Sequence, residues 1–421
     1  MVPEPKIASS TPQLIDLDAT AAMVARGLRH LPGLVFFDSS STASGNDSPI
    51  SIVAACPIEK IAGDIFVEAD RVELRRVLAQ HAVPDSFPDF GFPCGGLIGA
   101  VEYDGKFEFG VYPEMLVFNH SRETWHELGT LSEKINCLAE MEEFSENRFD
   151  FSGTMDRDSF CAAVEKVQEY IAAGDIYQVN LSHRFRTDIP DSMDRFGLYE
   201  RLREASPAPF SAFLEMSGRH ILSTSPEQFL RMSGSAIQTR PIKGTRPRFR
   251  DLEMDEKSAY DLITSPKEIA ELIMITDLER NDLGQICEFG SVEATDLLKL
   301  ERFEQVFHLV STVTGELRPE IDHIDALAEC YPGGSITGAP KKRAREIIAE
   351  LEPEPRGLYT GSIGIFGFNG ESRFNIAIRT AIVENGDLHF HVGAGIVADS
   401  EPQKEWEETL HKAAGIFRAC G

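Results

Sequence analysis

Apolar positions recur along this chain with helical spacing in some stretches and with strand-like alternation in most others. Residues 21–31 form an amphipathic helical pattern. It leads into a β-like run at 33–38 and a polar loop at 39–49 rich in Ser, Gly and Asn. Further strands are predicted at 51–56, 64–68, 95–103 and 115–120, with 125–128 continuing the sheet and 72–82 as a short helix. This segment is β-rich and holds no evident chemical constellation, so its pattern predicts a supporting sheet. The polar stretch 140–153 is the candidate boundary, dividing the chain into an N-terminal subdomain, 1–150, and a second unit, 151–421.

Beyond it, Phe160, Val164, Val167 and Ile171 have helical spacing, and Gly174 is a natural C-cap. A strand at 176–185 places Gln178 and Asn180 on one face. Strands follow at 210–215, 220–223 and 228–232, with a polar turn at 223–227 that carries Glu227. A strand at 236–242 delivers Lys243 to Gly244. Ser265, Pro266 and Glu268 are the N-cap, first residue and capping-box acid of a helix running towards Leu278, with 277–284 as its polar end. A β-like run at 303–313 contains His308, and 321–330 is helical. A glycine-rich turn at 332–340 opens a helix at 341–351. Residues 358–368 and 373–383 read as a strand pair, and 383–390 as a hairpin about Glu384-Asn-Gly-Asp. A β-run at 390–396 carries Gly393 and Gly395, where glycine marks a bulge or a close approach. Ser400 is the predicted cap of a last helix with Trp406, Leu410, Ala413 and Phe417 on its apolar stripe.

Composition narrows the function classes. With 421 residues, 42% of them hydrophobic, the chain is long enough for a large core. The 41 Lys and Arg against 68 Asp and Glu give a formal charge of −27, which opposes nucleic-acid binding. No apolar run reaches membrane-spanning length, and the N-terminus lacks the basic and apolar regions of a secretory signal, so a cytoplasmic location is expected. Seven dispersed cysteines without a C-x-x-C pair read as reduced thiols. The alternating His389 and His391 read as sharing a sheet face rather than a metal.

Several groups could carry chemistry. Glu268 and Glu271, and Glu405 and Glu408, are two E-x-x-E pairs on helices; facing each other they would make an all-oxygen cage for Mg²⁺. Each pair alone is more often surface, and Glu268 is already a capping residue. Lys243 lies among Arg240, Arg246 and Arg248, which could tune it as an amine nucleophile; on pattern alone the surface reading prevails. Ser335, Thr337, the turn amides, Tyr359 and a strand-borne Arg379 are candidate anion donors. The turn is neither a P-loop nor a dinucleotide fingerprint. His308 reads by default as a satisfied core histidine, and Glu227 as a carboxyl that could act as general acid were its pKa raised.

The sequence resembles the chorismate-utilising enzymes. The matching segments are G-D-I-Y-Q-V-N-L-S at 174–182, S-P-E-Q-F at 225–229, P-I-K-G-T-R-P-R at 241–248 and E-L-I-M-I-T-D-L-E-R-N-D-L at 271–283. They continue with V-F-H-L-V-S at 306–311, P-G-G-S-I-T-G-A-P-K at 332–341, Y-T-G-S-I-G at 359–364, G-A-G-I-V-A-D-S at 393–400 and E-W-E-E-T at 405–409. The resemblance implies an α+β fold of two antiparallel sheets with flanking helices and an interwoven N-terminal segment. It puts Mg²⁺ on Glu268, Glu271, Glu405 and Glu408. Substrate carboxylates fall to Ser335, Tyr359, Arg379, Gly393 and Gly395, and His308 lies near the reacting ring. Family members that add water carry a lysine base where this chain has Gln178. Those that form anthranilate typically have alanine where it has Lys243, and those that form aminodeoxychorismate have lysine. The resemblance therefore implies amination of chorismate to 4-amino-4-deoxychorismate through a covalent Lys243 intermediate, for 4-aminobenzoate and folate synthesis. Glu227 would be the acid, and ammonia would come from a separate glutamine amidotransferase subunit. Anthranilate formation, in tryptophan synthesis, is the alternative.

Overall fold

Among the described residues the β-like runs assemble into two antiparallel sheets of twelve and ten strands. The structure, a computed structural model, describes residues 11–39, 49–84, 87–136 and 149–421. Most of the polar stretch 140–153, most of the loop 39–49, and Cys137 lie outside the described residues.

Side chains from both sheets interleave to form the central core, with Val35, Ile52, Val117 and Ala212 from the larger sheet against Ile98, Ala100, Ile363 and Ile365 from the smaller. Helices cover the outer faces. Ala21–Gly27, Arg195–Ala205 and Pro402–Ala419 pack on the larger sheet. Glu68–His81, Pro266–Ile286 and His323–Cys330 pack on the smaller. Arg157–Ala172 and Lys341–Leu351 cover one end of the larger sheet. This four-layer α+β arrangement buries one face of most of its elements. Strands of the first 136 residues join both sheets: Val35–Asp38 pairs with Phe210–Met216, and Gly96–Val101 with Ser362–Gly367. Among the described residues no helix is long and apolar enough to cross a membrane. Cys94, Cys287, Cys330 and Cys420 are buried free thiols.

Local signals hold where a side chain enforces them. Ser265 Oγ accepts the Glu268 amide, starting Pro266–Ile286 as expected. The hairpin turns on Asn385 and Gly386, both at positive φ, between Thr380–Glu384 and Asp387–Ile396. Several expectations are corrected. The run 64–68 is not a strand: Asp64 ends Glu59–Asp64, its Oδ1 accepting the Phe66 amide, and Glu68 begins the next helix. The run 373–383 is two strands, Glu371–Asn375 in the smaller sheet and Thr380–Glu384 in the larger. The apolar residues between them carry the chain across the core. The "polar end" at 277–284 stays helical to Ile286, because Glu279 and Asp282 are buried against partners. Ser400 is not the N-cap of the last helix. That position is Glu401, and the Ser400 hydroxyl donates to Glu405 at 2.7 Å instead.

Candidate functional site

Lys243 lies in the strand Ile242–Pro247 at the edge of the smaller sheet, opposite Leu309 of Val306–Glu316. The register slips between Lys243 and Thr245, and Gly244 between them has φ +71°. This bulge re-aims Lys243 away from the regular alternation. Its Nζ lies 3.4 Å from the Ser335 carbonyl.

Ser335 belongs to the glycine-rich turn, whose Gly334–Ile336 forms a single 3-10 turn. Its hydroxyl donates to Glu227 Oε1 at 2.7 Å. Glu227 is 5% exposed, and burial raises its pKa against the opposing pull of Ser335 and Lys243. One serine therefore touches both the candidate acid and the candidate nucleophile. Thr337 is turned back: its hydroxyl donates to the Gly333 carbonyl at 3.0 Å and so braces the turn. The Gly334 amide is also committed, to Glu279 Oε1 at 3.1 Å. The turn as a free rack of amides is thus a weaker description than the sequence suggested.

Gln178 opens the strand Gln178–Asp188, 1% exposed, and its buried Oε1 has no hydrogen-bond partner among the described residues. A side chain on Gly395 would stand 2.5 Å from Gln178 Nε2 and 3.9 Å from Lys243 Nζ. Gly395 is therefore the gap between these two groups. A side chain on Gly393 would meet the Tyr359 hydroxyl at 2.8 Å. Tyr359 is buried and stacked on His391, with ring centroids 5.3 Å apart.

Arg379 is not in a strand. It ends the crossover between the sheets at φ +50°, its carbonyl accepting the Thr224 amide at 3.0 Å. His308 is 3% exposed, with Nδ1 3.0 Å from Thr245 Oγ1. Burial, with the nearby Arg379 charge, lowers its pKa to about 3, so it stays neutral.

The helices Pro266–Ile286 and Pro402–Ala419 bring the two E-x-x-E pairs near each other. Lys267 Nζ stands between them, 3.9 Å from Glu271 Oε1 and 3.6 Å from Glu405 Oε1. Burial raises the Glu271 pKa, and Glu271 Oε1 is buried without a hydrogen-bond partner. Burial pushes Glu408 upward too, but Lys412, 2.7 Å away, and other lysines reverse this and lower it. Among the described residues no three carboxylates, imidazoles or thiols converge to ligand spacing. Four acids around one ammonium, with an orphaned carboxylate oxygen, are nonetheless a donor set whose chemistry fits a hard divalent cation.

The three arginines are each matched by acid. Arg240 pairs with Glu301, Arg246 lies 3.6 Å from Glu268, and Arg248 is 2.8 Å from Asp255. The expected basic surround of Lys243 is corrected accordingly. The lysine instead faces carboxyls, its charge acting on Glu227, Glu271 and Glu408. Sequence reasoning also missed Lys412, whose Nζ reaches the Gly393 carbonyl at 2.9 Å as well as Glu408. Its position four residues after Glu408 was the available signal. A cavity of about 340 Å³ lies elsewhere, between the sheets beside Asp38, Arg240 and Asn375.

Residues 94–418 match the family described as chorismate binding enzyme. The chain belongs to this family. The chorismate-binding chain is 40% identical over 370 residues to aminodeoxychorismate synthase component 1 of Bacillus subtilis (strain 168), covering 79% of this chain and 78% of that protein. It is 43% identical over 426 residues to anthranilate synthase component 1 of Thermus thermophilus, covering 91% and 92%. Its fold is similar to the crystal structure of anthranilate synthase component I from Streptococcus pneumoniae, with TM-score 0.77 and 30% identity over 89% of this chain and 93% of that one. Family membership makes it an enzyme acting on chorismate.

Proposed function

We propose that this enzyme aminates chorismate to 4-amino-4-deoxychorismate, as aminodeoxychorismate synthase component I does, with Lys243 as a covalent nucleophile. The observation that carries this reading is the single path from Lys243 Nζ through Ser335 to Glu227 Oε1, at 3.4 and 2.7 Å.

In the proposed sequence the neutral Lys243 amine attacks C2 of the ring. Both ring double bonds shift towards C4, from C1–C2 to C1–C6 and from C5–C6 to C4–C5, and the C4–O bond breaks. Glu227, whose burial favours the protonated form, gives its proton to the departing hydroxyl, which leaves as water. Ammonia then adds at C4, both double bonds shift back, and the C2–N bond breaks so that the C2-bonded ammonium leaves as the neutral Lys243 amine, while the new C4 ammonium returns one proton to the Glu227 carboxylate. Splitting one displacement into two is the advantage of covalent catalysis. Gln178 has no base to offer, which disfavours water as the nucleophile. Arg379, Tyr359, Ser335, Gly393 and Gly395 are proposed to line the seat of the substrate, with neutral His308 beside the ring and Thr337 bracing the turn. Glu268, Glu271, Glu405 and Glu408 would hold Mg²⁺, which when bound neutralises a substrate carboxylate. We further propose a cytoplasmic enzyme supplied with ammonia by a separate glutamine amidotransferase subunit.

Anthranilate formation is the second reading, favoured by a specific observation: a relative that covers 91% of this chain and 92% of its own bears that name. Product analysis with chorismate, Mg²⁺ and ammonium decides between them. Aminodeoxychorismate that accumulates with its enolpyruvyl group intact supports the first reading. Anthranilate with an equivalent of pyruvate overturns it.

A further inference from the structure

We infer that Arg356 is a positioning residue: one buried guanidinium that holds three separate segments of the candidate site in register. Arg356 is 4% exposed. Its side chain has five N–H donors in a plane, and each has an acceptor. Nε donates to Glu352 Oε2 at 2.9 Å and Nη2 to Glu352 Oε1 at 2.7 Å. The second Nη2 hydrogen goes to the Asn180 carbonyl at 2.6 Å. The two on Nη1 go to the Ile336 carbonyl and the Thr360 hydroxyl, both at 3.1 Å.

The acceptors matter for where they sit. Asn180 is two residues along the strand from Gln178. Ile336 lies between Ser335 and Thr337 in the glycine-rich turn. Thr360 follows Tyr359 and has φ +61°, a conformation that needs outside support in a β-branched residue. Glu352 extends the hold, its Oε1 also accepting the Ser182 amide and hydroxyl, each at 2.8 Å. Two rings also pack near the guanidinium, with the Tyr103 ring centroid at 4.7 Å and that of Tyr359 at 5.6 Å. A guanidinium with all five hydrogens committed has nothing left for a substrate. Its effect therefore runs through Gln178, Ser335 and Tyr359. Lysine could replace the charge but not the plane, since an ammonium has three donors on a flexible stem.

This inference rests on the reading that those three residues line a chorismate seat. The test compares wild type, Arg356→Lys and Thr360→Val by chorismate consumption, whatever the product, and by thermal unfolding. Thr360→Val removes one acceptor without altering charge or β-branching. Arg356→Lys is expected to unfold cooperatively but to raise KM for chorismate about tenfold, with kcat/KM down on the order of 100-fold, as misplacement of a site by about 1 Å does. Thr360→Val should raise KM about threefold. A purely structural role would lower kcat with the folded fraction and leave KM alone. If Arg356→Lys does not fold, Thr360→Val decides. A folded variant with wild-type KM overturns the role of Arg356. Wild type that neither binds nor consumes chorismate refutes the reading beneath it, and with it the seat Arg356 would position.

Discussion

Gly393 and Gly395 stand two residues apart on one strand and face the same way, yet alanine at the two positions should have opposite consequences. Neither has a positive φ, so the backbone accepts a side chain at both. At Gly395 the nearest atom to a new Cβ is Gln178 Nε2, at 2.5 Å, with Gln178 Cδ at 3.6 Å. That is the end of a side chain, and a rotation of about 0.9 Å restores ordinary contact. At Gly393 the nearest atom is the Leu181 backbone carbonyl at 2.7 Å, followed by the Tyr359 hydroxyl at 2.8 Å and Ser182 Cβ at 3.0 Å. Leu181 sits in the neighbouring strand, paired to Ala394, so relief there requires the ladder itself to open. Overpacking of this kind costs about 1–3 kcal/mol. Alanine gains back about 0.4–1 kcal/mol from the stiffer unfolded chain. Gly395→Ala should therefore leave stability nearly unchanged, while Gly393→Ala loses about 1–2 kcal/mol. In a chain this long that is roughly 1–2 °C in Tm. Activity should not follow stability. The Gly395 methyl pushes the Gln178 amide and stands beside Lys243, so KM for chorismate should rise about tenfold, equivalent to about 1.4 kcal/mol. Calorimetric unfolding and steady-state kinetics on both variants test this. A Gly395→Ala enzyme with wild-type KM, or one destabilised as much as Gly393→Ala, would refute the assignment of Gly395 to the gap between Gln178 and Lys243.

Three further outcomes are expected. His308, with a pKa near 3 when folded against about 6.5 when exposed, stays neutral while the unfolded chain protonates. Its stabilising contribution is complete above pH 6.5 and is lost as pH falls from there towards 3, about 2 kcal/mol of it by pH 5. Denaturant unfolding should show the wild type losing that much more than His308→Gln between pH 7.5 and 5, with parallel curves counting against it. Lys267→Met removes the ammonium 3.6 and 3.9 Å from Glu405 and Glu271. Lys267 is 53% exposed and therefore screened, so calorimetric Mg²⁺ affinity without substrate should rise about tenfold rather than a thousandfold; an unchanged affinity would mean that the lysine does not compete. Glu227→Gln keeps the shape of the carboxyl but has no proton to give, so turnover should fall 10²–10⁴-fold with KM little changed, and equal activity would dismiss Glu227 as the acid.

How much of this was legible in the sequence depends on whether the determinant is local. Ser265-Pro-Lys-Glu268 and Glu384-Asn-Gly-Asp each fix their own backbone, and both elements form where the pattern puts them. The alternation rule failed where tertiary packing replaces it. The strand Glu293–Arg302 was missed because two register shifts against Val306–Glu316 break its period. The helix Leu252–Ile263 was missed because Leu252, Met254 and Tyr260 are exposed on it, leaving a narrow buried stripe. The run 373–383 passed for one strand because both faces of a sandwich crossing are apolar, and composition cannot say that the chain has changed sheets.

The site shows the same division more sharply. Sequence supplied residue types, and for Lys243 it supplied a neighbourhood of arginines, each of which the fold pairs with an acid, Glu301, Glu268 or Asp255. The surroundings that matter come from separations no window spans. Glu227 meets Ser335 across 108 residues. Lys243 meets the Ser335 carbonyl across 92. The groups on which the Lys243 charge acts are acidic where the local sequence is basic. The Ser335 carbonyl, 3.4 Å from Nζ, is what holds the amine, and the proposed attack depends on where that contact aims it. The decisive variable becomes geometry, set by the Gly244 bulge and the turn that Ser335 occupies, rather than a field made by neighbouring arginines.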